Sequence, residues 1–310
     1  MLDTPVAFII FRRPEVTEKV FEAIRQAKPN KLLVIADGAR PDKPGETEQC
    51  AATRAIIDRV DWDCEVLKNY SDVNLGCGIR PATGINWVFE QVEEAIILED
   101  DCLPHPSFFQ FCQELLKRYR HDERVMLIGG TNYFNEWKSN AQSYHFSCFS
   151  GSWGWASWRR AWNFYDYEMK LWNEAVETQF LRAYFSEQSH YLYWQDLFQK
   201  AYENDNRTFW DYQWLFARLV QNGLGVIPSV NLISNLGFGS DATHTFDKAD
   251  SLSNLKISEL SFPLTHPKIM IRDLELDNLI QERCFTEPTP NLQSRILRKA
   301  KNFVAKAIPR

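Results

Sequence analysis

The first hundred residues show short apolar runs that alternate with polar stretches at helical spacing. Apolar runs at residues 6–11 and 31–36 predict buried strands, and residues 65–69 predict a third. A helical pattern follows the first run, and residues 83–91 predict another helix. Strands that alternate with helices predict an α/β fold with a mostly parallel sheet and right-handed crossovers.

A fourth apolar run, residues 95–98, ends in Glu99, Asp100 and Asp101. The carboxyl ends of parallel strands are where open α/β sheets bind ligands. Three adjacent carboxylates repel one another, so we expect a positive partner, such as a divalent cation that arrives with substrate phosphates. A solvated acidic loop after a core strand is the alternative that these residues leave open.

Basic residues follow two of the predicted elements. Arg12 and Arg13 come directly after the first strand, and Arg80 follows a glycine-containing stretch, residues 74–78, that precedes a helix. Glycines allow close backbone approach and helix N-termini favour anions, so these arginines are candidates for phosphate or nucleotide contacts, or else for surface ion pairs. Asp37 at the end of the second strand is a candidate acceptor for a base or ribose, or part of a plain Asp-Gly turn.

The second half of the chain is rich in aromatic residues. The pattern predicts a helix at 106–119, strands at 125–130, 144–149 and 225–228, and two helices within 171–203. A glycine- and tryptophan-rich loop at 150–155 precedes Trp158 and Trp162, which continue on helical spacing. Another helix begins at Asp211, and residues 235–244 form a polar loop of the kind that closes over ligands.

Composition narrows the function classes. The chain has 310 residues, 45% hydrophobic and 25% charged, which is typical of a soluble globular protein of one or two domains. The net charge of −6 argues against nucleic-acid binding, and the first strand does not lead into the dinucleotide-binding glycine pattern of an oxidoreductase. Seven scattered cysteines show no zinc or redox spacing, and with no secretory signal or membrane span we expect a cytoplasmic protein.

The composition changes in the last segment, residues 286–310. Six basic residues and no acids lie in residues 291–310, with an apolar stripe at helical spacing. A basic amphipathic helix is typical of peripheral binding to an anionic membrane surface, here the inner face. The open alternative is a terminal helix that packs on the domain with its charges in water.

Three motifs stand in one order: the strand followed by Glu-Asp-Asp, the Gly154-Trp155 loop, and Phe209-Trp210-Asp211 at a helix start. This set resembles the GT-A glycosyltransferases, most closely the N-acetylglucosaminyltransferase I-like branch, over residues 6–244. The resemblance implies a GT-A domain at 1–285, with a nucleotide-binding half at 1–101 and an acceptor half at 102–250.

The resemblance also implies roles for single residues. Asp101 would hold Mn²⁺ (or Mg²⁺), Asp100 would meet the ribose and Glu99 the donor sugar. Asp211 would be the catalytic base, although a helix N-cap explains an Asp at this position equally well. Tyr212 stands where the family has a second acid, which leaves the acceptor open.

Further donor contacts are implied less directly. Arg12 or Arg13 and Asp37 match the family's nucleotide-contacting positions. Arg80 lies in a segment that helps bind the nucleotide, and His244 lies in the late loop that covers the diphosphate. The aromatic side chains assigned to the acceptor side are Trp155 and Trp210.

These roles together imply metal-dependent, inverting transfer of a sugar from a nucleotide-diphosphate donor, such as UDP-GlcNAc, to a glycan or lipid-linked glycan in surface polysaccharide synthesis. Two alternatives remain. A sugar-1-phosphate nucleotidyltransferase would want a glycine-rich phosphate loop and a lysine after the first strand, where this chain has Arg12, Arg13 and Pro14. A non-catalytic glycan-binding or scaffold protein would tolerate loss of Asp211.

Overall fold

A computed structural model describes residues 2–203, 208–237, 252 and 255–285. Two sheets contain its strands. The larger sheet is formed by β1 (Val6–Ile10), β2 (Lys31–Ala36), β3 (Glu65–Tyr70), β4 (Glu94–Glu99), β6 (Val125–Gly129), β7 (Tyr144–Ser147), β8 (Trp155–Trp158) and β9 (Leu224–Pro228). The smaller sheet pairs β5 (Cys102–Pro104) with β10 (Ile233–Asn235).

The larger sheet is mixed but mostly parallel, which confirms the α/β prediction. Its strand order is β3-β2-β1-β4-β8-β6-β9-β7. Strands β1 to β4 pair in parallel with one another, and β6 pairs in parallel with β9. Among the described strands of this sheet, β8 and β7 alone pair antiparallel with their neighbours. The expectation of alternating parallel units fails at these two strands.

Helices cover both faces of the larger sheet. They are α1 (Pro14–Ala27), α2 (Glu46–Ile56), α3 (Gly76–Gln91), α4 (Pro106–Tyr119), α5 (Arg159–Trp162), α6 (Trp172–Glu177), α7 (Gln188–Glu203), α8 (Asp211–Val220) and α9 (Leu274–Cys284). Because successive strand residues point to opposite faces, Phe8 of β1 packs in the α1 and α4 layer while Ile9 packs in the α3 and α8 layer. Burial on both faces explains the near-continuous apolar strands.

The strand register brings the sequence-predicted site residues to one edge. Ile10 of β1 lies opposite Ala36 of β2, and Ile9 lies opposite Glu99 of β4. The residues that follow each of these strands therefore emerge at the same carboxyl edge. Strand β1 has β2 on one side and β4 on the other, so the strand order reverses at β1. In open α/β sheets, ligands bind in the crevice at such a reversal.

Two local predictions were wrong in detail. Residues 155–158 were expected in a loop that continues into a helix, but they form β8, in which Trp155 lies opposite Ile97. A tryptophan side chain fits a strand that is buried on both faces. This strand is recognisable only from its pairing with β4 and β6, which the sequence does not show. Helix α3 begins at Gly76, seven residues before the predicted start at residue 83.

The larger sheet extends across the predicted boundary at residue 101, because β8 pairs directly with β4. The two halves therefore share one core, and their separate roles stay predictions. His244 and the segment 286–310 lie outside the described residues. Among the helices that the structure describes, none is long and apolar enough to cross a membrane.

Candidate functional site

The acidic cluster at the end of β4 is held by one arginine. Arg13, at the start of α1, donates to both oxygens of Asp100, with Nε 3.3 Å from Oδ2. Its Nη2 also lies 2.9 Å from Oδ2 of Asp101. Asp100 is 4% exposed, and the described residues form no hydrogen bond or ion pair with the side chain of Glu99. Arg13 is thus the positive partner that the sequence leads us to expect, supplied by the chain itself.

One guanidinium does not balance three carboxylates. Burial raises the pKa of Glu99 to about 8, with added repulsion from the charges of Asp101 and Asp100. Burial likewise raises the pKa of Asp100 to about 6, although Arg13 opposes the shift. Burial opposes the charged form of Arg13, yet its two acidic partners raise its pKa. The cluster therefore keeps an excess of negative charge that favours a proton or a cation.

The chemistry of this cluster suits a hard divalent cation. Within the described ranges, no three His, Cys, Asp or Glu side chains converge as a ready-made metal site. Mg²⁺, however, is commonly held by one or two carboxylates and completes its shell with water and substrate phosphates. The Asp101 side chain is 15% exposed, more than that of Asp100, so Asp101 would be the protein ligand.

The late polar loop approaches Asp101 from the smaller sheet. Pairing of β5 with β10 places Asn235 opposite Cys102, and the Leu236 N–H donates to the Asp101 carbonyl at 2.7 Å. A Cβ added to Gly237 would lie 2.1 Å from Oδ2 of Asp101. A side chain at residue 237 would therefore have to displace the Asp101 carboxylate. The loop that the sequence marked as a ligand cover begins in contact with the candidate metal ligand.

Asp37 has its acceptor positions occupied by the chain. Its Oδ1 accepts from the N–H groups of Gly38 and Leu75 at 3.0 and 2.8 Å, and its Oδ2 accepts from Gly76 N–H and Asn74 Nδ2 at 2.9 and 3.0 Å. A carboxylate offers about four such positions. In this structure Asp37 holds the start of α3 against the end of β2, and its contact with a nucleotide stays a prediction.

Arg80 and Arg12 also have partners within the fold. Arg80 is 6% exposed; its Nε donates to the Ala36 carbonyl at 3.2 Å and its Nη2 donates to Asn69. Nε of Arg12 lies 3.3 Å from the buried carboxylate of Glu46, which Arg40 also contacts. Arg80 thus ties α3 to the ends of β2 and β3, and any nucleotide contact of these two arginines stays a prediction.

Asp211 lies at the start of α8, across the site from β4. Its charge contributes to the raised pKa of Glu99, which places the two carboxylates within electrostatic reach. Cys77, the second residue of α3, is within electrostatic reach of both: its thiol donates to the Thr208 carbonyl at 3.7 Å, and burial, then Glu99 and Asp211, raise its pKa. The structure therefore brings the predicted base and the predicted donor-binding acids to one site.

The predicted acceptor surface formed by Trp155 and Trp210 is not present. Trp155 is fully buried and Trp210 is 6% exposed. Their rings stack with centroids 6.1 Å apart, and Trp162 and Trp214 pack against the Trp155 ring. These rings form the core beneath α8, which is the commoner use of tryptophan, so they position Asp211 and do not contact a glycan.

A cavity beside Asp211 contains residues that sequence analysis missed. It measures about 190 Å³, and its walls include Tyr133, Ser150, Trp153 and Arg218. Arg218 follows Asp211 by seven residues, two helical turns, so both side chains lie on one face of α8. That spacing, with a single basic residue in an otherwise apolar run, is the signal that could have identified Arg218 from the sequence.

Solved structures resemble this chain only loosely. No family model and no curated protein matches the chain. A UDP-glucose pyrophosphorylase in complex with UDP-glucose overlaps 48% of this chain and 64% of its own, with 12% identity and a TM-score of 0.26. A proposed nucleotide-diphospho-sugar transferase from Desulfovibrio desulfuricans G20 overlaps 52% of this chain and 65% of its own, with 10% identity and a TM-score of 0.31. The matched regions span less than two thirds of either protein, and overlaps this loose transfer no role to this chain.

The raised pKa of Glu99 predicts a pH-dependent stability. The folded protein holds a proton on Glu99 up to about pH 8, whereas the unfolded chain releases it near the ordinary value of 4.5. Unfolding therefore releases this proton between those pH values, so stability falls as pH rises from 5 to 8. Thermal unfolding in a metal-free buffer should show a falling Tm, and Glu99→Gln should flatten the decline. Equal slopes for the two proteins would contradict the shift.

The role of Arg13 predicts a link between this residue and divalent cations. Arg13→Gln leaves Asp100 and Asp101 uncompensated and should lower the free energy of unfolding by about 1–3 kcal/mol. Added Mg²⁺ or Mn²⁺ should restore part of that loss, because the cation supplies the missing charge. Urea unfolding with and without the cation measures both effects. Arg12→Gln, which removes one of the two arginine partners of Glu46, is the control and should show no such recovery. Identical cation responses in both variants would argue against the cluster as a cation site.

Proposed function

We propose that this protein is a glycosyltransferase that moves a sugar from a nucleotide-diphosphate donor to a hydroxyl group of an acceptor glycan. The observation that supports this most is the convergence of Glu99, Asp100 and Asp101 with Asp211 at the carboxyl edge of the sheet. The acids and Arg13 provide a charged end for a diphosphate and its cation. Asp211 provides a separate carboxylate across the site.

In this proposal Asp211 acts on the acceptor, and the acidic cluster with Arg13 acts on the leaving diphosphate. The acceptor oxygen attacks the anomeric carbon, its proton passes to the Asp211 carboxylate, and the carbon–oxygen bond to the diphosphate breaks with its electron pair on the β-phosphate. A general base in this position contributes roughly 10²–10⁴-fold to the rate. A divalent cation held by Asp101 would, when bound, stabilise the negative charge on the leaving diphosphate.

Arg13 supports the donor end. In this structure its guanidinium pairs with Asp100 and Asp101, and the same planar group can bind two phosphate oxygens. With a cation held by Asp101, the Arg13 guanidinium would be released from that carboxylate and would bind the phosphate. A single base opposite the leaving group implies inversion at the anomeric carbon. The uridine base, GlcNAc as the sugar, Mn²⁺ as the preferred cation, and a surface-polysaccharide or lipid-linked acceptor all follow from the sequence resemblance and belong to the proposal.

Asp211→Asn tests the base. The variant cannot accept the proton, so kcat should fall by roughly 10²–10⁴-fold while donor affinity stays within about twofold of the wild type. Transfer from a panel of nucleotide sugars to mono- and oligosaccharide acceptors, followed by mass spectrometry, measures the rate. Asp42→Asn, an exposed acid on the surface, is the control. A near wild-type rate would rule out Asp211 as the catalytic base.

Asp101→Ala tests the donor end independently of catalysis. Calorimetry with nucleotide sugars should show cation-dependent binding to the wild type, and the variant should lose it, because the protein ligand of the cation is gone. Asp42→Ala should bind as the wild type does. A wild type that binds no nucleotide sugar with any cation would overturn the donor site. Release of pyrophosphate from a nucleoside triphosphate and a sugar 1-phosphate would instead indicate a nucleotidyltransferase.

A further inference from the structure

Arg218 is a buried cation that the proposed reaction does not use. It lies on α8 and is 2% exposed. Its Nη2 donates to the Ser150 carbonyl at 2.9 Å, whereas Nε and Nη1 have no hydrogen-bond acceptor among the described residues. In the part of the chain that the structure describes, no carboxylate forms an ion pair with it. Buried charges are ordinarily paired, so an isolated guanidinium at this position calls for an explanation.

The surroundings of Arg218 do not neutralise it. Burial lowers its pKa to about 10, which still leaves the group protonated at neutral pH. Its nearest ionisable neighbours are the side chains of Cys148, Tyr133 and Tyr184, all of which are neutral in their ordinary state at that pH. The ring of Trp214 lies 5.9 Å from the guanidinium carbon, which provides a weak cation–π contact at most. The charge therefore remains available to a ligand.

The cavity beside Arg218 reaches Asp211. Both residues line it, and they lie seven residues apart on α8, about 10 Å along the helix axis. Its volume of about 190 Å³ corresponds to roughly six water molecules, enough for part of a sugar. Asp211 is the one acid among its described lining residues, so the cavity has a carboxylate at one end and a cation at the other.

Hydroxyl groups line the cavity between these two ends. Ser152 lies on one wall, and the Tyr133 hydroxyl lies so close to Gly151 that a Cβ there would be 2.2 Å from it. The hydroxyl of Ser150, also a lining residue, already donates to the Val226 carbonyl at 2.7 Å. The hydroxyl groups of Ser152 and Tyr133 suit a polyhydroxylated ligand, because each can donate and accept a hydrogen bond. Turning the guanidinium toward the cavity would break a single hydrogen bond, the one to Ser150, because Nε and Nη1 have no acceptor to lose.

We propose that this cavity is an acceptor subsite for an acidic sugar, in which the guanidinium of Arg218 binds an oxyanion of the acceptor, a carboxylate or a phosphate ester. The proposal rests on the proposed function, because it takes the cavity beside Asp211 as the acceptor side. The two-turn separation on α8 places the oxyanion on a part of the acceptor remote from the attacked hydroxyl. Arg218 is thereby a specificity-determining residue, since a neutral acceptor would leave its charge buried and unpaired.

Binding of simple sugars tests this without catalysis. Ligand-observed NMR and calorimetry on the full chain should show that glucuronate or glucose 6-phosphate binds at least about tenfold more tightly than glucose, as a charge-assisted hydrogen bond predicts. Arg218→Gln should reduce that ratio to near one, and Arg218→Lys should keep part of it. A preference for glucuronate indicates an acceptor carboxylate, and a preference for glucose 6-phosphate indicates a phosphate ester.

Arg160→Gln is the matched control. Arg160 is also a partly buried arginine that donates to backbone carbonyls, those of Arg120, Tyr119 and Val125, but it lies outside the cavity lining. This variant should keep the wild-type ratio. Equal affinity of the wild type for glucose and both charged sugars overturns the proposal, and so does an Arg218→Gln variant that keeps the preference. The wild-type ratio and the lysine variant decide the question if the glutamine variant does not fold.

Donor binding in the same samples separates this proposal from the proposed function. An Arg218→Gln protein that still binds nucleotide sugars with a cation but loses the charge preference supports the subsite. A wild type that prefers acidic sugars but binds no nucleotide sugar supports an anion subsite and removes the transferase. A wild type that binds nucleotide sugars but shows no charge preference supports the donor site of the proposed transferase and overturns the anion subsite.

Discussion

The pairing of Arg13 with Asp100 and Asp101 is the interaction on which this site depends. Three successive acids at the end of a buried strand would repel one another in a low-dielectric setting, where charge interactions are strong. Parallel pairing of β1 with β4 brings Arg13, which follows one strand, to the acids that end the other. The compensation remains partial, because one guanidinium faces three carboxylates; burial, with added repulsion from Asp101 and Asp100, raises the pKa of Glu99. The physical result is a cluster that is compensated enough to fold yet keeps an excess of negative charge.

Charged residues around this pair fall into two groups. Asp37 and Arg80 direct their polar atoms at backbone groups of the chain and hold α3 against the sheet. Among the described residues, the Glu99 side chain has no hydrogen-bond or ion-pair partner and holds a proton up to about pH 8, and Arg218 carries a charge that no carboxylate pairs. The first group shapes the crevice, and the second has unused capacity for a ligand. Burial and hydrogen-bond partners distinguish the two groups.

Aromatic residues of the second half have a supporting role. Trp155 lies at the centre of the sheet on β8 and packs against the rings of Trp162, Trp210 and Trp214. This packing fixes the start of α8, so the position of Asp211 depends on buried rings. A second aromatic cluster, in which Phe149, Trp194 and Phe198 are buried, continues beneath α7 and α8. Tryptophan here stabilises the platform on which the cavity is built, and the polar lining comes from serine, tyrosine and arginine.

The sequence by itself determined the strands β1, β2 and β4, the helix α4, and the candidate acids at a strand end. These features are local. An apolar run of strand length, or an apolar stripe at helical spacing, predicts a buried strand or helix whichever segments pack against it. The tertiary structure decided the features that a local sequence pattern cannot predict. It inserted β8 antiparallel between β4 and β6, turned Asp37 and Arg80 toward the backbone, and placed Gly237 against Asp101. Each of these outcomes depends on which distant segments share a surface, because a polar side chain takes the partners that folding brings within hydrogen-bond distance.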